Sequence, residues 1–188
     1  MDILMFVLQG AVMLPLAVRM FARSQPQGSL GRELALSAYH PGFVLHVLGF
    51  ALIWTGFGVR FWTVGIERTL NWPGVLASVL LALATALMFA SFSVLTSWRL
   101  LPGIEDGHQF CASGVYRVVR HPIYLAFDLT GIGVAVAVPS PLVIAGALAL
   151  IVAGQLRARS EEKALIEAFG TRYLEYRSRV AARIPGVF

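Results

Sequence analysis

The feature that most restricts this chain is a series of apolar runs too long and too unbroken for a water-soluble globule. Five stand out, at residues 3–18, 41–59, 73–96, 123–138 and 142–156. Runs approaching the roughly 20 residues that cross a bilayer define a polytopic membrane protein. The low charge agrees: 13% of the 188 residues are charged, against roughly 25% in a typical soluble domain. Pro41 and Pro73 open the second and third runs and suit a first helical turn. The last two runs are short and are expected to extend into their polar flanks. Only Pro139-Ser140-Pro141 separates them, which predicts an antiparallel helical hairpin. From Arg157 onward the chain is charged. There Leu165, Phe169, Tyr173 and Tyr176 share one face, the pattern of an amphipathic helix at the membrane surface, interrupted at Gly170. The expected fold is therefore all-α: five transmembrane helices, a hairpin of spans 4 and 5, and a cytoplasmic amphipathic C-terminal helix. Residues 1–188 read as a single membrane domain, with three spans in 1–96 and the polar chemistry in 97–188.

The charge distribution sets the orientation. A net charge of +5 would suit nucleic acid, but the basic residues lie between the apolar runs, where membrane topology puts them, and no nucleic-acid partner is expected. With the tail inside, thirteen of the fifteen Lys and Arg residues are cytoplasmic, and only Arg60 and Arg68 are outside. The positive-inside rule then predicts the N-terminus outside and the C-terminus in the cytoplasm. Asp2 precedes the first run and Arg19 and Arg23 follow it, the reverse of a cleaved signal peptide, so a retained helix is expected. Basic residues are Arg apart from Lys163, a weak pointer to a bacterial inner membrane. The lone Cys111 excludes an internal disulfide.

Chemistry-bearing residues concentrate in two places. In the first, residues 114–124, two Arg, one His and two Tyr stand at the entrance of an apolar run. Pro122 fits a first helical turn. Tyr124 and Asp128, four apart, share a helix face toward which His121 leans. An ionisable Asp128 at membrane depth needs a partner or a cavity. The competing reading of this stretch is interfacial anchoring, a common use of Arg, His and Tyr at helix ends. In the second place, Arg157 and Glu161 are spaced i, i+4 at the boundary of the last run, a spacing that also suits an ordinary surface ion pair. His108 and Cys111 suggest a metal, but the remaining ligands are missing and no metal is expected. No glycine-rich dinucleotide loop or phosphate loop occurs, so a nucleotide-like cofactor would need another kind of site. Gly131 and Gly133 read as close helix packing.

Together these pieces resemble the isoprenylcysteine carboxyl methyltransferase family of integral membrane methyltransferases. The resemblance rests on Gly114-x-Tyr116, Arg120-His121-Pro122-x-Tyr124, the paired last runs, and Arg157 followed by Glu161-Glu162. Leu165, Phe169-Gly170, Tyr173, Tyr176 and Ile184-Pro185 extend it, over about residues 97–188. It implies S-adenosylmethionine as cofactor, bound on the cytoplasmic side by His108, Gln109, Phe110, Cys111, Tyr116, His121, Pro122, Ile123, Tyr124 and Glu161. It further implies Arg157 facing an acceptor carboxylate, with Arg157 and Glu161 carrying catalysis. Asp128, on the stripe below, joins Arg157 as a candidate for substrate contact. The implied partners are a lipophilic small molecule or lipid entering from the bilayer, and the membrane lipids themselves. Three other readings remain open: an NADPH-dependent membrane sterol or lipid reductase, a phospholipid N-methyltransferase, and a non-catalytic membrane scaffold.

Overall fold

The computed structural model describes residues 40–64, 71–95 and 110–184. The first expected span, residues 3–18, lies outside them, as do His108 and Gln109. Four α-helices occur among the described residues: α1 (Pro41–Val64), α2 (Trp72–Val94), α3 (Pro122–Ala137) and α4 (Pro141–Arg179), with a single 3-10 turn at Gly114–Arg117 before α3. Proline stands in the first turn of α2, α3 and α4, where its missing N–H costs nothing. Side chains finish two of these starts: Asn71 Oδ1 accepts from Gly74 N at 2.9 Å, and Ser140 Oγ from Val143 N at 3.3 Å.

This arrangement corrects the expectation of five transmembrane helices with a hairpin of spans 4 and 5 and a separate C-terminal helix. Among the described residues three helices, α1, α2 and α4, are long and apolar enough to cross a membrane. The fourth run forms α3, which at 16 residues is too short to count as a span. The fifth run does not end near Leu156. It continues without a break into the charged segment as one helix of 39 residues. The cause is local. Residues 155–169 contain neither proline nor glycine and are mostly Ala, Leu, Arg, Glu and similar helix formers, so the backbone has no reason to stop where the hydrophobicity does. A non-helical backbone appears only at Gly170 (φ 52, ψ −129). The aromatic face beyond it is not laid on a membrane surface either: Tyr173 and Tyr176 are buried with Val180 and packed by Phe110, Leu165 and Phe169.

The principal helix contacts run α1 to α4, α4 to α3 and α3 to α2. The α1–α4 seam is built on glycine. A Cβ at Gly42 would stand 2.7 Å from Arg157 Cγ, one at Gly49 2.9 Å from Leu150 Cδ2, and one at Gly146 2.6 Å from the Gly49 carbonyl. Side-chain-free positions let the two backbones approach closely, as in other membrane helix pairs. At Gly131, against Ala147, the same closeness joins α3 to α4. Ile53, Leu81, Val134, Val143 and Leu150 form the common core, and Ala84, Met88, Ile123 and Ala126 the α2–α3 contact. Much of the remaining apolar surface faces outward, including Val47, Leu48, Trp54, Leu83 and Leu148, as a lipid-embedded bundle requires. Among the described residues, Trp62 near the end of α1 and Trp72 at the start of α2 are the most exposed tryptophans, suited to an interfacial belt. The chain is a polytopic membrane protein.

Candidate functional site

The site forms where the segment before α3, the charged half of α4 and the residues after α4 are tied together. Gly114 opens the 3-10 turn with φ 56, and a Cβ there would also press to 2.9 Å from Val94. Val119 and Ala181 pair as an isolated parallel bridge. Arg120 N donates to Ala181 O at 2.8 Å and His121 N to Ala182 O at 2.9 Å. Tyr176 Oη donates to Tyr116 O at 2.6 Å. The turn that delivers His121 to the start of α3 is thus held both by its own 3-10 bonds and by the end of α4 and the residues after it.

Two adjacent carboxylates organise the side chains. Glu162 Oε1 receives Arg120 Nε at 3.0 Å and lies 3.1 Å from His121 Nε2, while its Oε2 stands 3.3 Å from Arg177 Nε. Glu161 Oε2 is 3.5 Å from His121 Nδ1, and its Oε1 accepts the Tyr124 hydroxyl. Arg120 Nη1 also donates to the carbonyls of Arg177 and Val180, the partners that a side chain only 4% exposed requires. Burial works against a charged His121, but hydrogen bonds and charge from Glu161 and Glu162 outweigh it and hold the ring's pKa above its ordinary value. Burial likewise works against the Glu162 carboxylate, in the charged half of α4 outside the apolar segment. There His121, then Arg120, pull its pKa down to about 2.

Arg157 is buried at the membrane end of this cluster, its Cζ 5.4 Å from the Tyr124 ring centre, a cation–π stack. His40 approaches from the start of α1, its Nε2 3.1 Å from Ser160 Oγ. One turn deeper along α3, Asp128 Oδ2 receives Arg183 Nη1 at 2.7 Å. Arg183 Nη2 donates to Gln155 Oε1 at 2.7 Å. On the opposite side Phe110 sits edge-on to Phe169 and Tyr173, beside Tyr176 and under Arg172.

The structure thus brings Tyr124, His121, Glu161 and Arg157 into one cluster. Pro122 and Ile123 are buried beside it at the start of α3. Phe110 joins the aromatic layer against the end of α4, and the buried Tyr116 is tied to that layer through its carbonyl, which accepts from Tyr176. Cys111 points elsewhere, its Sγ 3.6 Å from Val94 O. Asp128 belongs to the deeper pair with Arg183. Sequence reasoning missed Glu162 and Arg120 as a structural hub, and it missed Arg183 and His46. The first two stood inside quoted motifs. Arg183 carried no local signal, because its partner is 55 residues away.

The described residues define a class, a membrane-embedded helical bundle with a charged, hydrogen-bonded cluster at one end and a buried arginine beside it. Residues 75–167 match the isoprenylcysteine carboxyl methyltransferase (ICMT) family. Similar proteins include protein-S-isoprenylcysteine O-methyltransferase A of Arabidopsis thaliana, 39% identical over 85 residues, covering 44% of this chain and 43% of the relative. The protein-S-isoprenylcysteine O-methyltransferase of Saccharomyces cerevisiae is 37% identical over 84 residues, 43% of this chain and 34% of its own. The human protein of the same description is 39% identical over 83 residues, 43% of this chain and 29% of its own. The chain therefore spans less than half the length of these relatives. These matches support an ICMT-like assignment for residues 75–167.

Proposed function

We propose that this protein transfers a methyl group from S-adenosylmethionine to a lipophilic acceptor, foremost one presenting a carboxylate. The observation that carries the reading is Arg157 buried over Tyr124 at the boundary between the apolar bundle and the Glu161–His121–Glu162 cluster, within a chain matched to this family. The residues present suit the cofactor. Glu161, with its side chain 29% exposed, offers a carboxylate to an ammonium or sulfonium. The partly exposed Phe110, backed by Tyr173 and Tyr176, offers an aromatic surface to an adenine. The buried Tyr173 hydroxyl has no partner among the described residues, so a polar atom of a ligand would satisfy it. His108 and Gln109, Phe110 and Cys111, Tyr116 and the stretch from His121 to Tyr124 complete the set we assign to the cofactor.

When bound, S-adenosylmethionine supplies an electrophilic methyl on a sulfonium, displaced in line. Arg157 then has two tasks: its planar fork orients an acceptor carboxylate, and its charge draws that carboxylate out of the headgroup region. No strong base is required with a carboxylate nucleophile, and positioning does most of the work. The apolar walls of α1, α3 and α4 exclude water, so the mutual neutralisation of carboxylate and sulfonium is favoured. Asp128 lies on the acceptor side. The orientation that suits this chemistry has the N-terminus outside and the cluster at the cytoplasmic face of a bacterial inner membrane.

Calorimetry of the detergent-purified protein should show S-adenosylmethionine binding and none by NADPH. Incubation of a lipid extract with methyl-labelled cofactor should then place label in a base-labile ester. Binding of NADPH alone would overturn the reading.

A further inference from the structure

Residues 180–183 are tied to the bundle one after another. Val180 O accepts from Arg120 Nη1, Ala181 O from Arg120 N at 2.8 Å and Ala182 O from His121 N at 2.9 Å. All three carbonyls serve the entry to α3. Arg183 then sends its side chain into the crevice between α3 and α4. Its Nη1 donates to Asp128 Oδ2 at 2.7 Å and to Ile151 O at 3.3 Å, and its Nη2 to Gln155 Oε1 at 2.7 Å. Gly154 makes the room. A Cβ there would stand 2.9 Å from Arg183 Nη1 and 3.3 Å from Tyr124 Cβ, so the guanidinium lies where a side chain of α4 would otherwise be.

These bonds fasten α3 at two heights. Asp128 follows His121 by seven residues, about 10.5 Å along the helix. The segment after α4 therefore meets α3 at its start through Ala182 and two turns deeper through Arg183. The second fastening also grips α4, at Ile151 and Gln155. The site is divided between the same two helices: α3 brings His121 and Tyr124, and α4 brings Arg157, Glu161 and Glu162. Its bonds cross from one to the other, Tyr124 Oη to Glu161 and His121 Nε2 to Glu162 Oε1 at 3.1 Å. A slip of α3 along α4 by about 1 Å would break them, and misplacement on that scale far from the reacting atoms can cost about a hundredfold. A buried ion pair adds little net stability, because two charges leave water to form it.

We propose that Arg183 is a positioning residue for cofactor binding: paired with Asp128 across the α3–α4 crevice, it holds His121 and Tyr124 in register with Glu161 and Glu162. It acts through α3 and does not touch the cofactor. The proposal rests on the methyltransferase reading and adds to it a residue outside the cluster.

Arg183→Met alone leaves Asp128 charged and unpaired, so a second variant separates geometry from folding. Asp128→Val with Arg183→Met replaces the pair by apolar side chains, an exchange that is often neutral for stability. The double variant should unfold near the wild-type midpoint in detergent, yet bind S-adenosylmethionine roughly tenfold or more weakly by calorimetry, the effect of one or two cluster bonds lost. Arg183→Lys, which keeps the charge pair, should retain most of the affinity. Amide hydrogen exchange reads the fastening without any ligand. In the double variant the Arg120 and His121 amides should exchange faster by roughly tenfold or more, while those of residues 143–150 in α4 stay as protected as in the wild type. Wild-type affinity in the double variant would overturn the positioning role, whether or not the two amides change. Faster exchange throughout α4 would also overturn it, since the pair would then hold the whole fold. If the wild-type protein binds no S-adenosylmethionine, the methyltransferase reading falls, and the two amides still decide whether Arg183 sets the register.

Discussion

At the scale of single residues, the site separates groups that hold the fold from groups expected to touch ligands. Arg120 belongs to the first kind. Removing it takes one of three cationic partners from Glu162 and leaves two carbonyls unmatched, so Arg120→Ala should cost roughly 1–3 kcal/mol and lower the unfolding midpoint in mixed detergent before any question of activity arises. Arg157 belongs to the second. Arg157→Ala should spare S-adenosylmethionine affinity and cripple turnover, and Arg157→Lys should restore only part of it, because an ammonium cannot present two parallel donors. Glu161→Gln should instead weaken cofactor binding itself. Small, equal effects of the Arg157 and Glu161 substitutions on affinity and rate would point to a surface ion pair and nothing more. The cluster also sets a pH window. Glu162 has its pKa lowered in the fold, so its contribution is complete above the ordinary carboxylate value of 4.5 and lost as pH falls toward about 2. His121 has its pKa raised, so its contribution is complete below 6.5 and lost as pH climbs past the folded value. Thermal stability in detergent should decline on both sides, and Glu162→Gln should flatten the acid limb.

At the scale of elements, legibility followed the distance over which each signal acts. The cores of α1 and α2 could be read from apolar runs and their opening prolines, since both depend on contiguous residues. The Gly170 interruption could be read for the same reason: its φ and ψ lie in a region nearly restricted to glycine. No Cβ contact lies within 4 Å there, so Gly170→Ala should cost about 1–3 kcal/mol through backbone strain alone, measurable by unfolding. The continuity of α4 was misread because hydrophobicity changes at Arg157 while helix propensity does not. The α1–α4 seam was overlooked although Gly42, Gly49 and Gly56 recur every seven residues, a period that keeps one face toward a neighbour. The Arg120–Glu162 and Arg183–Asp128 pairs span 42 and 55 residues, and nothing in the local pattern joins such positions.

At the scale of the whole molecule, the topology can be checked directly. Accessibility tags at residue 1 and near Arg68 should react from outside, and one after Phe188 only from inside. A C-terminus reachable from outside would move the cluster to the wrong face. The lengths of the helices carry a further consequence. At 1.5 Å per residue, α1 and α2 measure about 35 Å, while α3 and the apolar part of α4 before Arg157 measure about 24 Å, against a hydrocarbon layer of roughly 30 Å. Among the described residues the short helix is α3, packed between α2 and α4 and touching Arg157 through Tyr124, and lipid tails that meet it must shorten or tilt. A local dimple of this kind brings the headgroup of a neighbouring amphiphile down to the level of the buried guanidinium without lifting its tail out of the oil. Vesicles made from short acyl chains should accordingly support faster turnover than thick ones at equal cofactor saturation, and a rate indifferent to chain length would show that the acceptor arrives by another route.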